Sequence, residues 1–510
     1  MLAKVRSCTI IGLEGRPIEV EVDLSDEAAA LPIVGLSHAA FNESTEERVR
    51  SAIKKSGYLY PLKRITVNIT PTDLPREDFA YDLPIAIGVL LASSQINPGK
   101  YLDESLFFGK LSPDGRLCRI NGVLPMVALA SEELVAYVFA PAANAVEASL
   151  VRGVTVYAVE TLAQLLAHLN DEQQIEPFVP DPCMLDSEGQ PFYEHDMAAV
   201  LGQDHVKRAL EVAASGGHSV LMSGPAESGK GSLARRLPSI LPQLTVEETL
   251  EITKIYSVSG MLHPHKPLIR QRPFRLPHQN ISLAGLVGDG DAAHPGEISL
   301  AHHGVLFLDE LPAFDEHVLG ALHQPLKEKV ITMYRAKDTI TYPANVLLVA
   351  SMKPCPCGNS ADPVRECACS AIAIARYLKR ISGPLLDGID IHVEVPRVDY
   401  ERLAERRLVE NSETIRKRVQ AARERQLERF RRTKLTCNAE IGPQEVREFC
   451  LMDIASEKLL KAATQQLRLS AQANYRVLRL ARTIADLAGS ETILAHHIAE
   501  AIQYRLRTGA

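Results

Sequence analysis

Residues 218–223, HSVLMS, form a short apolar run that leads directly into Gly224-Pro225-Ala226-Glu227-Ser228-Gly229-Lys230-Gly231-Ser232 and then into a helical pattern. This is a G-x4-G-K loop in strand–loop–helix context, the setting in which glycines let backbone N–H groups curl around phosphates at a helix N-terminus. Lys230 supplies a point charge for the terminal phosphates of ATP. The position after the lysine ordinarily carries a Ser or Thr hydroxyl for Mg²⁺. Here it is Gly231, and Ser232 lies one residue late, about 100° around the helix. Ser232 can take that role only if the loop shifts.

Further along, Gly304-Val305-Leu306-Phe307-Leu308-Asp309-Glu310 reads as an apolar strand ending in two acids. Asp309 is the candidate Mg²⁺ ligand, and Glu310 is the candidate group for polarising an attacking water. The alternative is a strand that simply ends at a charged turn. Taken with Lys230, these residues define an ATP- and Mg²⁺-dependent α/β module.

Around that module the chain divides into parts. Its 510 residues suggest about three domains. Residues 1–168 alternate strand-like and helix-like runs, with IEVEVDL, RITVNIT and VRGVTVYAV as β-branched strands and residues 43–56 as a helix with acidic start and basic end. Residues 169–195 are acidic and proline-rich, a linker signature. Residues 196–398 are again α/β, and residues 399–510 are helical. Within residues 401–436, twelve Lys or Arg face six Glu. Within it, the stretch from Arg416 to Lys434 is either a solvated helix face or a contact for DNA or a neighbouring subunit.

The whole chain carries a formal charge of -7 with 23% charged residues, so a polyanion partner must meet a local patch. No Trp is present and aromatics are 5%, which leaves few stacking platforms for bases. The N-terminus lacks a signal-peptide pattern and no stretch reaches membrane-spanning length, so a cytoplasmic protein with no membrane partner is expected. Of nine Cys, four fall in C-x-C-x9-C-x-C as Cys355, Cys357, Cys367 and Cys369. Four thiolates on two short turns can close a tetrahedral Zn²⁺ site; four reduced thiols in a loop are the alternative.

Gly202-Gln203 with LEVAASGGH, then RQRPFR, PGEISLAHHGVLFLDELPAF, QPLKEKV, TYPANVLLVASMKPCPCG, ISGPLLD and ARTIADLAG resemble the magnesium-chelatase-like AAA+ ATPase family, the ComM/YifB group. RVRSAIKKSGY, ITVNITPTDLP and YDLPIAI extend the resemblance over the N-terminal part. It implies an N-terminal Lon-protease-like domain (ribosomal S5 domain 2-like), a helix-2-insert AAA+ αβα module, and a C-terminal helical lid. It further implies a homo-oligomeric ring, a hexamer, acting on single-stranded or branched DNA without sequence preference, with a helicase or branch-migration role in recombination and natural transformation. The cysteine cluster then reads as a structural zinc site beside the sensor loop.

Carried over position by position, the resemblance also exposes departures. Lys353 stands where the family has a sensor Asn, Gly388 where it has a trans-acting Arg finger, and Gln472 where a lid Arg reaches the γ-phosphate. With Gly231, four nucleotide-sensing positions depart from the pattern. An arginine finger is worth about 10³ to 10⁵ in rate, roughly 4 to 7 kcal/mol. The expectation is therefore nucleotide binding with weakened hydrolysis, or a pseudo-ATPase scaffold in a mixed ring with an intact paralogue. Arg376, Arg380 and Arg476 are possible stand-ins. The N-terminal domain offers Asp82 where a Lon-type Ser belongs and Met126 where its Lys belongs, so it lacks a nucleophile and its base. Two cations, Arg335 and Lys337, sit at the turn of a hairpin within residues 330–349. In related rings such a turn faces DNA in the central pore; an ordinary solvated turn is the alternative.

Overall fold

The computed structural model describes residues 2–25, 33–34, 39–71, 79–97, 99–181, 193–263, 266–289, 294–334, 339–360, 365–381, 383–397 and 409–505. Near the N-terminus, Leu2–Ile11 and Glu14–Ser25 pair antiparallel, and Arg64–Thr70 adds to the second strand. Along Glu14–Ser25, Ile18, Val20 and Val22 are buried while Glu19, Glu21 and Asp23 point away, the two-residue period of a half-buried strand. The helix Asp82–Ala92 is apolar on nearly all sides and almost wholly buried, as a helix enclosed by other elements must be. Gly88 permits its close approach to the sheet, since a Cβ there would lie 2.5 Å from Val22 Cγ2. A second sheet, parallel, joins Ser105–Phe107, Tyr137–Pro141 and Thr155–Val159. The strand expected over residues 151–159 thus begins only at Thr155.

Residues 169–195 do not behave throughout as a free linker. Phe178 N–H donates to Val156 O at 2.8 Å, and Ile175 is buried. The stretch up to residue 181 therefore packs against the N-terminal domain, because Ile175 and Phe178 have apolar surface to bury. Residues 182–192, including Cys183, lie outside the described residues.

The central module is a five-stranded parallel sheet in the order Phe274–Arg275, Val305–Leu308, Leu347–Met352, Val220–Ser223, Ile391–Glu394. In chain order this is 2-3-4-1-5. Its strands read as continuous apolar runs because helices cover both faces. Placing Leu347–Met352 between Val220–Ser223 and Val305–Leu308 sets the phosphate loop and the acidic strand end one strand apart, at the same edge of the sheet.

From residue 411 the chain is helical, with long helices at Ser412–Phe430 and Ala471–Ala488. The basic charges of the first helix are largely turned onto the protein. Arg416 donates to Ser239 O, Arg418 pairs with Glu211 and Glu410, Arg423 donates to Ala214 O, and Arg429 pairs with the fully buried Asp486. Much of the helix therefore clamps the C-terminal helices onto the sheet module. The N-terminal domain is joined to the same module through the helix Val246–Val258. Gly122 N–H donates to Ser257 O at 2.9 Å, and Ser257 Oγ donates to the buried Glu147. Among the described residues, no helix is long and apolar enough to cross a membrane.

Candidate functional site

The loop after Val220–Ser223 closes tightly on the segment that follows the strand Ile391–Glu394. A Cβ at Gly224 would come within 2.2 Å of Val395 O, so only glycine fits. Gly229, at φ +89°, is in the left-handed region that glycine adopts without steric cost, and it caps the helix Lys230–Arg236. Gln203, 7% exposed, braces the loop by donating to Ser228 O at 3.0 Å and Pro396 O at 2.9 Å. Its role in the site is not evident from the loop motif alone; its only sequence signal is its place in the Gly202-Gln203 pair.

A cleft of about 380 Å³ opens here, lined by Ala226, Glu227, Ser228, Gly229, Lys230, Gly231, Asp309, Glu310, Met352 and Lys353. Lys230 is 9% exposed and folds back, its Nζ donating to Gly224 O at 2.8 Å, Pro225 O at 2.6 Å and Ser228 Oγ at 3.1 Å. Burial lowers its pKa, opposed by the nearby Asp309 carboxylate. Asp309 and Glu310 follow the buried strand Val305–Leu308. Ser351 Oγ donates to Asp309, and Glu310 N–H donates to Ser351 Oγ at 3.1 Å. Ser351 thus fixes both acids from the adjacent strand. Nothing in the sequence motif singles it out, since its effect depends on strand order.

Several expectations change at this cleft. Ser232 is exposed, and its Oγ accepts from Arg236 in its own helix, facing away from the lining residues. The helix rotation separating it from Gly231 places its hydroxyl on another face. Lys353 lines the cleft, but its Nζ is paired with Glu310 Oε1 at 2.5 Å. Gly388 ends the helix Gly383–Gly388, and a Cβ there would meet nothing within 4 Å. At Gly231, a Cβ would touch only Phe307 at 4.0 Å. Both sites therefore have room for a Cβ. Gln472 is exposed on the first turn of Ala471–Ala488. Arg380 donates to Pro312 O at 3.4 Å.

The donor set fits a magnesium nucleotide. The glycine cradle excludes side chains from the loop, a buried ammonium stands at its mouth, and Asp309 supplies the hard carboxylate oxygen that Mg²⁺ selects. The cysteine cluster fits zinc. Cys355 Sγ lies 3.4 Å from Cys357 Sγ and 3.6 Å from Cys367 Sγ, Cys357 and Cys367 are 3.7 Å apart, and all four thiols, Cys369 included, lie within 4.8 Å of one another. Tetrahedral Zn–S bonds of about 2.3 Å require sulfurs about 3.8 Å apart. Burial opposes ionisation of Cys355, yet hydrogen bonding from Ser360 and the neighbouring thiols brings its pKa down to about 6. Cys8, Cys437 and Cys450 are buried singly.

A second group, Glu251, His302 and His303, also brings its ligand-type atoms within 4.8 Å. There His302 Nδ1 accepts from Asn345 N–H at 3.0 Å, which leaves Nε2 as the protonated nitrogen facing Glu251 Oε2 at 3.1 Å. A protonated nitrogen has no lone pair for a metal. The group is a hydrogen-bonded clamp holding the entry to Val305–Leu308 against the helix Val246–Val258.

In the N-terminal domain, Asp82 is 1% exposed and held by Arg48, with Nε to Oδ2 at 2.7 Å and a second contact at 2.9 Å. Met126 is equally buried. The hairpin is formed by Val330–Tyr334 and Thr339–Pro343, paired antiparallel. Its turn, with Arg335 and Lys337, lies outside the described residues.

Fold and site together define a mixed α/β protein of the magnesium-chelatase AAA+-like kind, with a parallel sheet and a helical C-terminus. The family described as "Magnesium chelatase, subunit ChlI" matches residues 196–403, "Subunit ChlI of Mg-chelatase" matches 20–144, and "Magnesium chelatase, subunit ChlI C-terminal" matches 409–505. The chain is 40% identical to YifB of Escherichia coli K12 over 507 residues, covering 99% of this chain and 97% of YifB. It is 38% identical to competence protein ComM of Haemophilus influenzae over 511 residues, covering 99% and 97%. The 38 kDa magnesium-chelatase subunit of Cereibacter sphaeroides is 24% identical over 174 residues, 31% of this chain and 52% of that subunit. The chain belongs to the magnesium-chelatase-like ComM/YifB family.

Proposed function

We propose that the chain is an ATP- and Mg²⁺-binding AAA+ ring protein that acts on DNA in a ComM-like role, with weakened hydrolysis. The observation that carries this reading is the convergence of Lys230, Asp309 and Glu310 on one cleft at the carboxyl ends of parallel strands, where open α/β sheets place ligands. The loop 224–232 and Lys230 would hold the phosphates, Asp309 the Mg²⁺, and Glu310 would orient water. Bound Mg²⁺ supplies neutralisation of phosphate charge. Weakened turnover is favoured by Gly231, Lys353, Gly388 and Gln472, the four positions that depart from the family pattern.

The proposal includes an N-terminal Lon-protease-like domain without protease function at residues 1–168, a connection at 169–195 whose first part packs on that domain, the nucleotide module at 196–398 and a helical lid at 399–510. It includes a cytoplasmic homo-oligomeric ring, a hexamer by family analogy, that contacts DNA through Arg335 and Lys337 without reading sequence. It also includes one structural Zn²⁺ on Cys355, Cys357, Cys367 and Cys369. Elemental analysis of purified protein should find about one zinc per chain, and metal-free protein of unchanged stability refutes that part.

The deciding experiment measures nucleotide binding and ATP hydrolysis side by side, with and without single-stranded DNA. Binding with slow, DNA-responsive hydrolysis is expected. Binding with no turnover under any condition selects the scaffold or mixed-ring reading. Absence of nucleotide binding overturns both.

A further inference from the structure

The cleft contains two lysines, and each is occupied by an acceptor of the protein itself. Lys230 rests on the carbonyls of its own loop. Lys353 is paired with Glu310 at 2.5 Å, with side chains 27% and 39% exposed. Both members of that second pair line the cleft, so their contact is accessible to an incoming anion. While Lys353 holds Oε1 of Glu310, that oxygen is occupied and is not offered to a water molecule.

We propose that the Lys353–Glu310 pair is an exchangeable latch that reads the terminal phosphate of a nucleoside triphosphate. In the resting cleft Lys353 holds Glu310. A terminal phosphate offers Lys353 a more highly charged acceptor, and the exchange leaves Glu310 free to orient water. A nucleoside diphosphate carries no such group and leaves the latch shut. Lys353 is thereby a positioning residue that links release of Glu310 to the presence of substrate. The proposal rests on the nucleotide reading of the cleft.

The exchange predicts a specific thermodynamic signature that does not depend on turnover. Glu310 and the terminal phosphate compete for one cation, so removing the competitor strengthens triphosphate binding only while Lys353 is present. Affinities for ADP and a non-hydrolysable ATP analogue are measured with Mg²⁺ by equilibrium titration on the full chain, in wild type, Glu310→Gln, Lys353→Ala and the double variant. Lys353→Ala should weaken the ATP analogue about tenfold, about 1.4 kcal/mol, and leave ADP unchanged. Glu310→Gln should tighten the ATP analogue several-fold and leave ADP unchanged. In the Lys353→Ala background, Glu310→Gln should have little further effect, since paired residues couple in a double-mutant cycle.

Equal tightening in both backgrounds means simple repulsion between Glu310 and phosphate, and overturns the latch alone. So does an equal loss of ADP and ATP analogue on Lys353→Ala. Failure of wild type to bind any nucleotide, or binding that survives Lys230→Ala intact, overturns the nucleotide reading and the latch with it. Both side chains are partly exposed, and a circular-dichroism melt of each variant separates misfolding from altered binding.

Discussion

Two ion pairs of this molecule have similar chemistry and opposite settings. Arg48 and Asp82 meet inside the N-terminal domain, with side chains 11% and 1% exposed. Lys353 and Glu310 meet in the candidate cleft and remain open to solvent. Burial pushes the Asp82 pKa up, opposed by Arg48 and the Leu111 N–H. Such a pair cannot exchange partners without leaving a bare charge in the core. The cleft pair has no comparable penalty, since water or phosphate can replace either partner. Burial thus separates an ion pair that maintains a fold from one suited to ligand exchange. It also explains why a position aligned with a protease nucleophile here serves structure.

The largest expected effect comes from restoring what the cleft lacks. Gly388→Arg with Gly231→Thr should raise ATP turnover by about 10³, and both positions have room for a Cβ. Lys353→Asn and Gln472→Arg should add less singly, and the four should not be additive because they act on one phosphate. Steady-state hydrolysis with DNA present checks this. Fast turnover in the unmodified chain, unaffected by the restorations, contradicts the weakened-site reading.

Next in size is the sealed pair. Arg48→Ala should destabilise the N-terminal domain by about 3–5 kcal/mol by stranding Asp82, measured as a lower denaturant midpoint. Unchanged stability would mean that water reaches Asp82 and that the contrast with the cleft is false. The smallest effect belongs to the open pair. Lys353→Ala should change unfolding stability by no more than about 1 kcal/mol, despite its effect on nucleotide preference. A loss as large as that of Arg48→Ala would make Lys353 a structural residue.

The residues that line the candidate cleft were largely readable along the chain because its parts are local. A glycine loop between strand and helix, and two acids ending an apolar run, express their geometry through neighbours only a few residues away. The C-x-C pairs are equally compact, and the thiols do converge. The Glu14–Ser25 strand declared its buried face by alternation alone. What escaped were relations across strands and helices. Ser351 reaches Asp309 because Leu347–Met352 is inserted beside Val305–Leu308, and strand order leaves no trace in a linear motif. Lys353 looked like a lost sensor, but its pairing with Glu310 depends on how two chain segments 43 positions apart end at one cleft. The basic run from Arg416 to Lys434 offered a contact for DNA or a neighbouring subunit, whereas packing turned the guanidiniums of Arg416, Arg418, Arg423 and Arg429 onto Ser239, Glu211, Ala214 and Asp486. The Glu251–His302–His303 group resembled a metal site by proximity, until the Asn345 N–H fixed which His302 nitrogen carries the proton. Residue type and short spacing specify which chemistry a segment can offer. Which charges are spent on the fold, and which face a ligand, depends on long-range packing, because burial and partner choice are properties of the assembled molecule.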